Sequence, residues 1–119
     1  MAKLLGKAVI KWDGKEIKTL PGAKLNPGGQ KRTPVVGNQV HGHSEETMVP
    51  FISGEYVVGK DTPIAELNAA ENVTVLFISD IGRTWMLTGA ALEEPGDITA
   101  QEGGKVPFKF FGVSCEEMK

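Results

Sequence analysis

His41 and His43, in the run Val40-His41-Gly42-His43, are the residues best suited by type and spacing to hold a metal. On a strand, side chains two residues apart project to the same face, so a shared ion is geometrically possible. A zinc site takes three or four ligands, however, and the single cysteine, Cys115, is far along the chain. The pair therefore reads as polar loop histidines. Asn26-Pro27-Gly28-Gly29-Gln30-Lys31-Arg32 is glycine-rich and basic, like a phosphate loop. It lacks the Gly-Lys-Ser/Thr ending, and no helical pattern follows to set a helix N-terminus behind an anion, so it reads as a turn. Cys115 has no histidine nearby and sits in an apolar strand, the setting of a small buried hydrophobe rather than of a nucleophile. Glu45-Glu46 and Glu93-Glu94 are adjacent pairs. In a strand such neighbours face opposite ways, and in a loop both are solvated, so neither makes an acid–base couple. Trp12 and Trp85 read as core or interface anchors. No catalytic set, metal or cofactor is expected.

The elements that would have to position these residues belong to one domain of 119 residues. A chain of this length buries roughly two-thirds of the surface its unfolded form exposes, enough for one core without a disulfide or metal. Thirteen basic residues balance fifteen acidic ones, so nothing points to a nucleic-acid or membrane surface held by bulk charge. A lone cysteine excludes an internal disulfide framework and fits a reducing compartment. Lys7 and Lys11 interrupt the apolar N-terminus, which breaks a signal-peptide core, and no run approaches the ~20 apolar residues of a membrane helix. These features predict a soluble chain assembled in a cytoplasm.

Fifteen glycines and seven prolines fall between short apolar segments, the texture of an all-β chain. Residues 7–12 read as a strand with Ala8, Ile10 and Trp12 on one face. Asp13-Gly14 supplies a hairpin turn, and residues 15–20 return with Ile17 inward. Residues 23–43 are long and poorly periodic, and Val35, Val36 and Val40 have little local core to join. An unstructured loop of ~20 residues in a small domain has a function or an order supplied by a partner, so this segment reads as a projecting arm ordered on assembly. Residues 45–53 form a strand that Pro50 confines to an edge or a bulge. Asp61-Thr62-Pro63 starts a short helix to Ala70, with Ile64, Leu67 and Ala70 as its apolar stripe. Residues 105–115 make the last strand, with Val106, Phe108 and Phe110 on one face and Lys109, Phe111 and Val113 on the other. Glu116 to Lys119 reads as a polar tail. Six or seven antiparallel strands and one flanking helix predict a mainly β fold, a β-sandwich or small barrel.

Glu71 to Leu92 carries the strongest signal. Two runs rich in β-branched and aromatic residues are joined across Asp80-Ile81-Gly82. Val73, Val75 and Phe77 point one way and Leu76 and Ile78 the other; Trp85 and Leu87 oppose Met86 and Leu92. A half-solvated strand would be polar on one face. A small domain rarely covers both faces of a hairpin, so a partner, such as another copy of the chain, is expected to complete the burial.

The order of these features resembles the Mu-like phage tail tube proteins of contractile tails. The N-terminal hairpin ends in Gly22-Ala23, followed by a Pro27/Gly29 turn, an Arg32 segment, Val36-Gly37 and Val40-x-Gly42. The most specific match is Glu71-Asn72-Val73-Thr74-Val75, then Asp80-x-Gly82-x-Thr84-Trp85-Met86-Leu87. The similarity spans roughly residues 7 to 113. It implies a β-sandwich subunit, within residues 1–119, that forms hexameric rings stacked into a hollow tube. Implied partners are further copies of the chain, the tail sheath, tape measure, baseplate and tail terminator proteins, and viral DNA that passes through the lumen unbound. The implied location is the virion tail, after assembly in the host cytoplasm, with no membrane step. Residues expected at subunit contacts are Arg32, Val35, Val36, Val40, Val75, Phe77, Trp85, Met86 and Phe111. Two alternatives are a tube protein of a phage-derived injection or secretion particle, and a monomeric β-barrel binding module with one ligand pocket.

Overall fold

The computed structural model describes residues 5–60, 62–100 and 104–118. Its ten strands are β1 (Ala8–Trp12), β2 (Lys15–Ile17), β3 (Lys24–Asn26), β4 (Gly29–Val36), β5 (Val40–Met48), β6 (Phe51–Tyr56), β7 (Val73–Ser79), β8 (Thr84–Leu92), β9 (Val106–Phe111) and β10 (Ser114–Met118). The helix α1 (Ile64–Asn68) lies between β6 and β7. The fold is mainly β and antiparallel, as expected, with more strands than the six or seven anticipated.

The main sheet runs β2-β1-β7-β8-β9-β6-β3, and β10 adds to β8. Beyond β2 the chain meets β6: Thr19 bridges Tyr56, Leu20 N–H donates to the Glu55 carbonyl at 2.9 Å, and Val57 N–H donates to Lys18 at 3.1 Å. These bonds close β2-β1-β7-β8-β9-β6 into a small barrel and leave β10 as an edge strand. Asp13 and Gly14 both take positive φ, 47° and 81°, which gives the β1–β2 turn the hand that matches strand twist.

β8 is the corner strand. Its first half lies between β7 and β10, whereas Ala91 and Leu92 pair with β9. The switch occurs at Gly89, φ 64°, where the β7–β8 register shifts between Val73 and Val75. This bulge reverses the alternation, so Leu87 and Ala90 are both buried and Leu92 packs against the core rather than beside Met86 as its sequence position suggests.

The core joins Ile10, Trp12 and Ile17 to Val75, Phe77, Leu87, Ile52, Tyr56 and the alternating Val106, Phe108 and Phe110. Leu67 and Ala70 are buried and Ile64 packs beside them, so the helical stripe is as expected. The helix is shorter than anticipated: Pro63 is its N-cap and no side chain caps it. Asp61 and Gly103 lie outside the described residues.

The segment 23–43 is where the structure departs most from a sequence reading. It contains β3, all of β4 and the start of β5, and β4 and β5 form a separate two-stranded hairpin. Every residue of both strands is exposed. With no face on a core there is no apolar alternation to see, so a regular hairpin looks aperiodic. The supposed strand 45–53 is likewise two strands, divided at Val49-Pro50. The last strand divides at Gly112-Val113, and the polar tail is mostly β10, an edge strand with no apolar requirement of its own.

Candidate subunit interface

The residues that could have done chemistry are placed far from any shared purpose. His43 Nε2 lies 3.2 Å from Glu45 Oε1, which also accepts from Arg32 Nε at 3.2 Å, so this trio is a cross-strand polar cluster on the arm. His41 packs its ring under Gly37 at the arm's turn. Among the described residues no group of three histidine, cysteine or acidic side chains could hold a metal. The glycine-rich segment is the turn from β3 to β4, in which Asn26 Oδ1 accepts the Gly28 N–H at 2.9 Å. A Cβ at Gly28 would stand 3.0 Å from the Met48 carbonyl, so its role is close packing at the arm's root. Cys115 is half-buried on β10 opposite Leu87. Burial, with Glu116 adding to it, raises the thiol pKa, which keeps it protonated and a poor nucleophile at neutral pH. Glu93 reaches Lys109 at 3.7 Å. Among the described residues no helix is long and apolar enough to cross a membrane.

The residues expected at contacts divide into three groups. Val75 and Phe77 are 0% and 4% exposed and belong to the subunit's own core. The inward face of β7 is therefore used within the chain, and the opposite face, with Leu76 and Ile78, lies outside the core cluster. Trp85 shares the inward side: Phe77 meets its ring edge-on at 6.0 Å and the Arg83 guanidinium lies 5.2 Å over it. Arg83 in turn pairs through two nitrogens with Glu117, which binds β10 to the start of β8.

Met86 lies on the outer face. Residues directly opposed across antiparallel strands share a face, so the registers assemble two rows there. One row is Val9, Ile78, Thr84 and Met118; the other is Lys11, Leu76, Met86 and Glu116. Val9 and Met118 are exposed, and Leu76, Ile78 and Met86 are half-buried outside the core cluster. These rows make a four-strand apolar band, with a lysine at one edge and a glutamate at the other. Val9 and Met118 were not legible as parts of it, because the pairing that aligns them joins distant segments.

The third group stands on the arm. Val35, Val36 and Val40 are 50%, 64% and 67% exposed at its tip, on either side of a turn closed by the Gly37 N–H to Gln39 carbonyl bond of 3.0 Å. Arg32 is on the polar shaft. Phe111 is exposed on β9 near the arm's root, beside Phe51 and the exposed Val49.

The described residues thus present three separate apolar surfaces: the outer band, the arm tip and the arm root. A model of the family described as "Phage tail tube protein" matches residues 1–117. The Mu-like prophage FluMu tail tube protein of Haemophilus influenzae is 32% identical over 114 residues, covering 96% of this chain and 95% of that one. The tail tube protein of Escherichia phage Mu is 31% identical over 102 residues, 85% of this chain and 83% of the relative. Among solved structures, the anti-feeding prophage cap (AFP tube terminating cap) superposes with a TM-score of 0.62 at 9% identity, covering 94% of this chain and 87% of that one. Hcp1 from Flavobacterium johnsoniae does so with 0.59 at 12%, covering 92% and 93%. The structural likenesses speak for the fold, the sequence matches for descent: this chain belongs to the phage tail tube protein family.

Proposed function

We propose that copies of this chain close into hexameric rings, and that the rings stack into a hollow tube within a contractile sheath. The lumen holds the tape measure protein before ejection and conducts viral DNA during it. The ends of the tube meet baseplate and tail terminator proteins. The subunit is made and assembled in the host cytoplasm and ends in the virion tail. The observation that carries this reading is the outer apolar band of β1, β7, β8 and β10, which lies outside the subunit's core. A band of this kind on a soluble chain marks a contact with another protein. Identical subunits joined head to tail close into rings, and repetition along an axis makes a tube. The net charge of −2 suits a conduit, because DNA slides most freely past walls that do not neutralise its phosphates.

Negative-stain microscopy of the concentrated protein is the test. Hollow tubes with six-fold ring symmetry are expected. A monodisperse monomer at every concentration would overturn the reading. The matched relatives are phage and prophage proteins, which favours a virion tube over a secretion particle.

A further inference from the structure

We propose that the valine tip of the β4–β5 arm seats in the apolar groove at the root of the arm of a second copy of this chain. This contact rests on the tube reading above and specifies one joint in it. Two surfaces on one molecule motivate it. The shaft of the arm is polar on both strands: Gln30, Lys31, Arg32 and Thr33 oppose Thr47, Glu46, Glu45 and Ser44. The tip, by contrast, is apolar: Val35, Val36 and Val40 stand half or more exposed next to the Gly37–Gln39 turn. The turn itself carries Gly37 and Asn38, as turns ordinarily do; the valines flank it on β4 and β5, where their strand propensity fits but nothing among the described residues covers them.

The root holds the complementary feature. Val49, Phe51, Glu93, Lys109 and Phe111 line a groove of about 190 Å3. Phe51 and Phe111 are opposed across β6 and β9 within it, and Lys109 lies 4.5 Å over the Phe51 ring while reaching Glu93 at 3.7 Å. Val49 and Phe111 leave 54% and 39% of their surfaces open to receive a partner. An apolar cavity of about 150 Å3 holds benzene, which has six carbons; the groove therefore has room for the six side-chain carbons of two valines.

The occupant cannot be the chain's own tip. Eight residues of β4 extend about 26 Å at ~3.3 Å each, and the pairing with β5 holds the hairpin straight out from its root. The contact is made in trans, and joining two different patches makes it head-to-tail. Because Val49 immediately follows β5, each received tip lies at the foot of the next copy's arm, so one joint leads to another.

The test uses the full-length chain with Val36→Asp at the tip and Val49→Asp at the root. Both positions are exposed, so each variant should unfold at the same denaturant midpoint as the parent while its critical concentration for assembly rises at least tenfold. The two variants are then mixed in equal amounts and followed by sedimentation. A tip-defective copy keeps a sound root and a root-defective copy keeps a sound tip, so tip–root joints form only between unlike copies, and the mixture is expected to hold a larger species than either variant forms alone. Parental assembly by either variant would overturn the proposal, as would a mixture that sediments as its separate components while the parent forms tubes; the tip would then serve a different protein. A parent that never assembles fails the tube reading itself and takes this contact with it.

Discussion

Ser79 shows how a single hydroxyl sets the geometry of the central hairpin. Its Oγ donates to the Arg83 carbonyl at 2.6 Å and accepts the Arg83 N–H at 3.0 Å, in a buried position. Ser79→Ala strands that N–H and should cost about 1–2 kcal/mol, read as a lower urea midpoint. Trp85→Ala removes a larger body that packs on Phe77 and beneath Arg83. Truncating a well-packed tryptophan costs ~3–5 kcal/mol, and the half exposure of this one places the expected loss near the lower value. Leu76→Gln is the contrasting change. On the outer face it should shift stability by no more than about 1 kcal/mol and yet suppress assembly. If this variant built tubes as the parent does, the outer band would be no interface.

Two elements decide how the chain is divided between core and contact. Gly89 turns β8 from one part of the sheet to the other at positive φ, and a Cβ there would lie 2.9 Å from Val113 Cγ2. Gly89→Ala should cost about 1–2 kcal/mol from backbone strain alone, and Val113→Ala should relieve only the clash. The arm is the second element. Asn26 of β3 and Phe51 of β6 are direct cross-strand partners, so residues 27–50 can be replaced by an Asn-Gly turn that continues β3 into β6. The excised subunit should fold, with a loss of about 1 kcal/mol because the Gly112 N–H no longer finds the Pro50 carbonyl, and it should form no tubes under the microscope. The turn at Asp13-Gly14 and the inward set Val106, Phe108 and Phe110 were legible from sequence, because each lies next to a core that imposes period two. β4 and the first half of β5 were not, because strands that bury no face leave no such period.

At the scale of the whole molecule, the barrel is stabilised by its core rather than by charge. The Lys15–Glu66 and Arg83–Glu117 pairs are solvent-exposed, and exposed pairs contribute little. Two core-side groups have raised pKa values: Tyr56 by burial, and Cys115 by burial with a smaller effect of Glu116. The folded state thus holds these protons more tightly than the unfolded chain does. Their contribution is complete below the ordinary thiol value of 9.0 and is lost as pH rises through the folded values. Urea midpoints should be level near neutrality and fall above about pH 9, with Cys115→Ser reducing the first part of the fall. A flat profile to pH 11 would contradict the burial of both groups. The chain is a structural protein of its family, not an enzyme.

Local sequence pattern was enough to establish the mainly β character with one short helix, the central hairpin with two apolar faces and the family pattern of Glu71–Val75 and Asp80–Leu87. These are local or periodic properties, written within a few residues of one another. Tertiary structure alone decided which apolar face the subunit keeps. Only the pairing of β7 between β1 and β8 turns Val75 and Phe77 inward and leaves Leu76 and Ile78 outside. It also decided that the aperiodic segment is a straight hairpin, and that Val9, Ile78 and Met118 share one row. Such outcomes depend on register between strands far apart in the chain, and register is set by closing the barrel around one core.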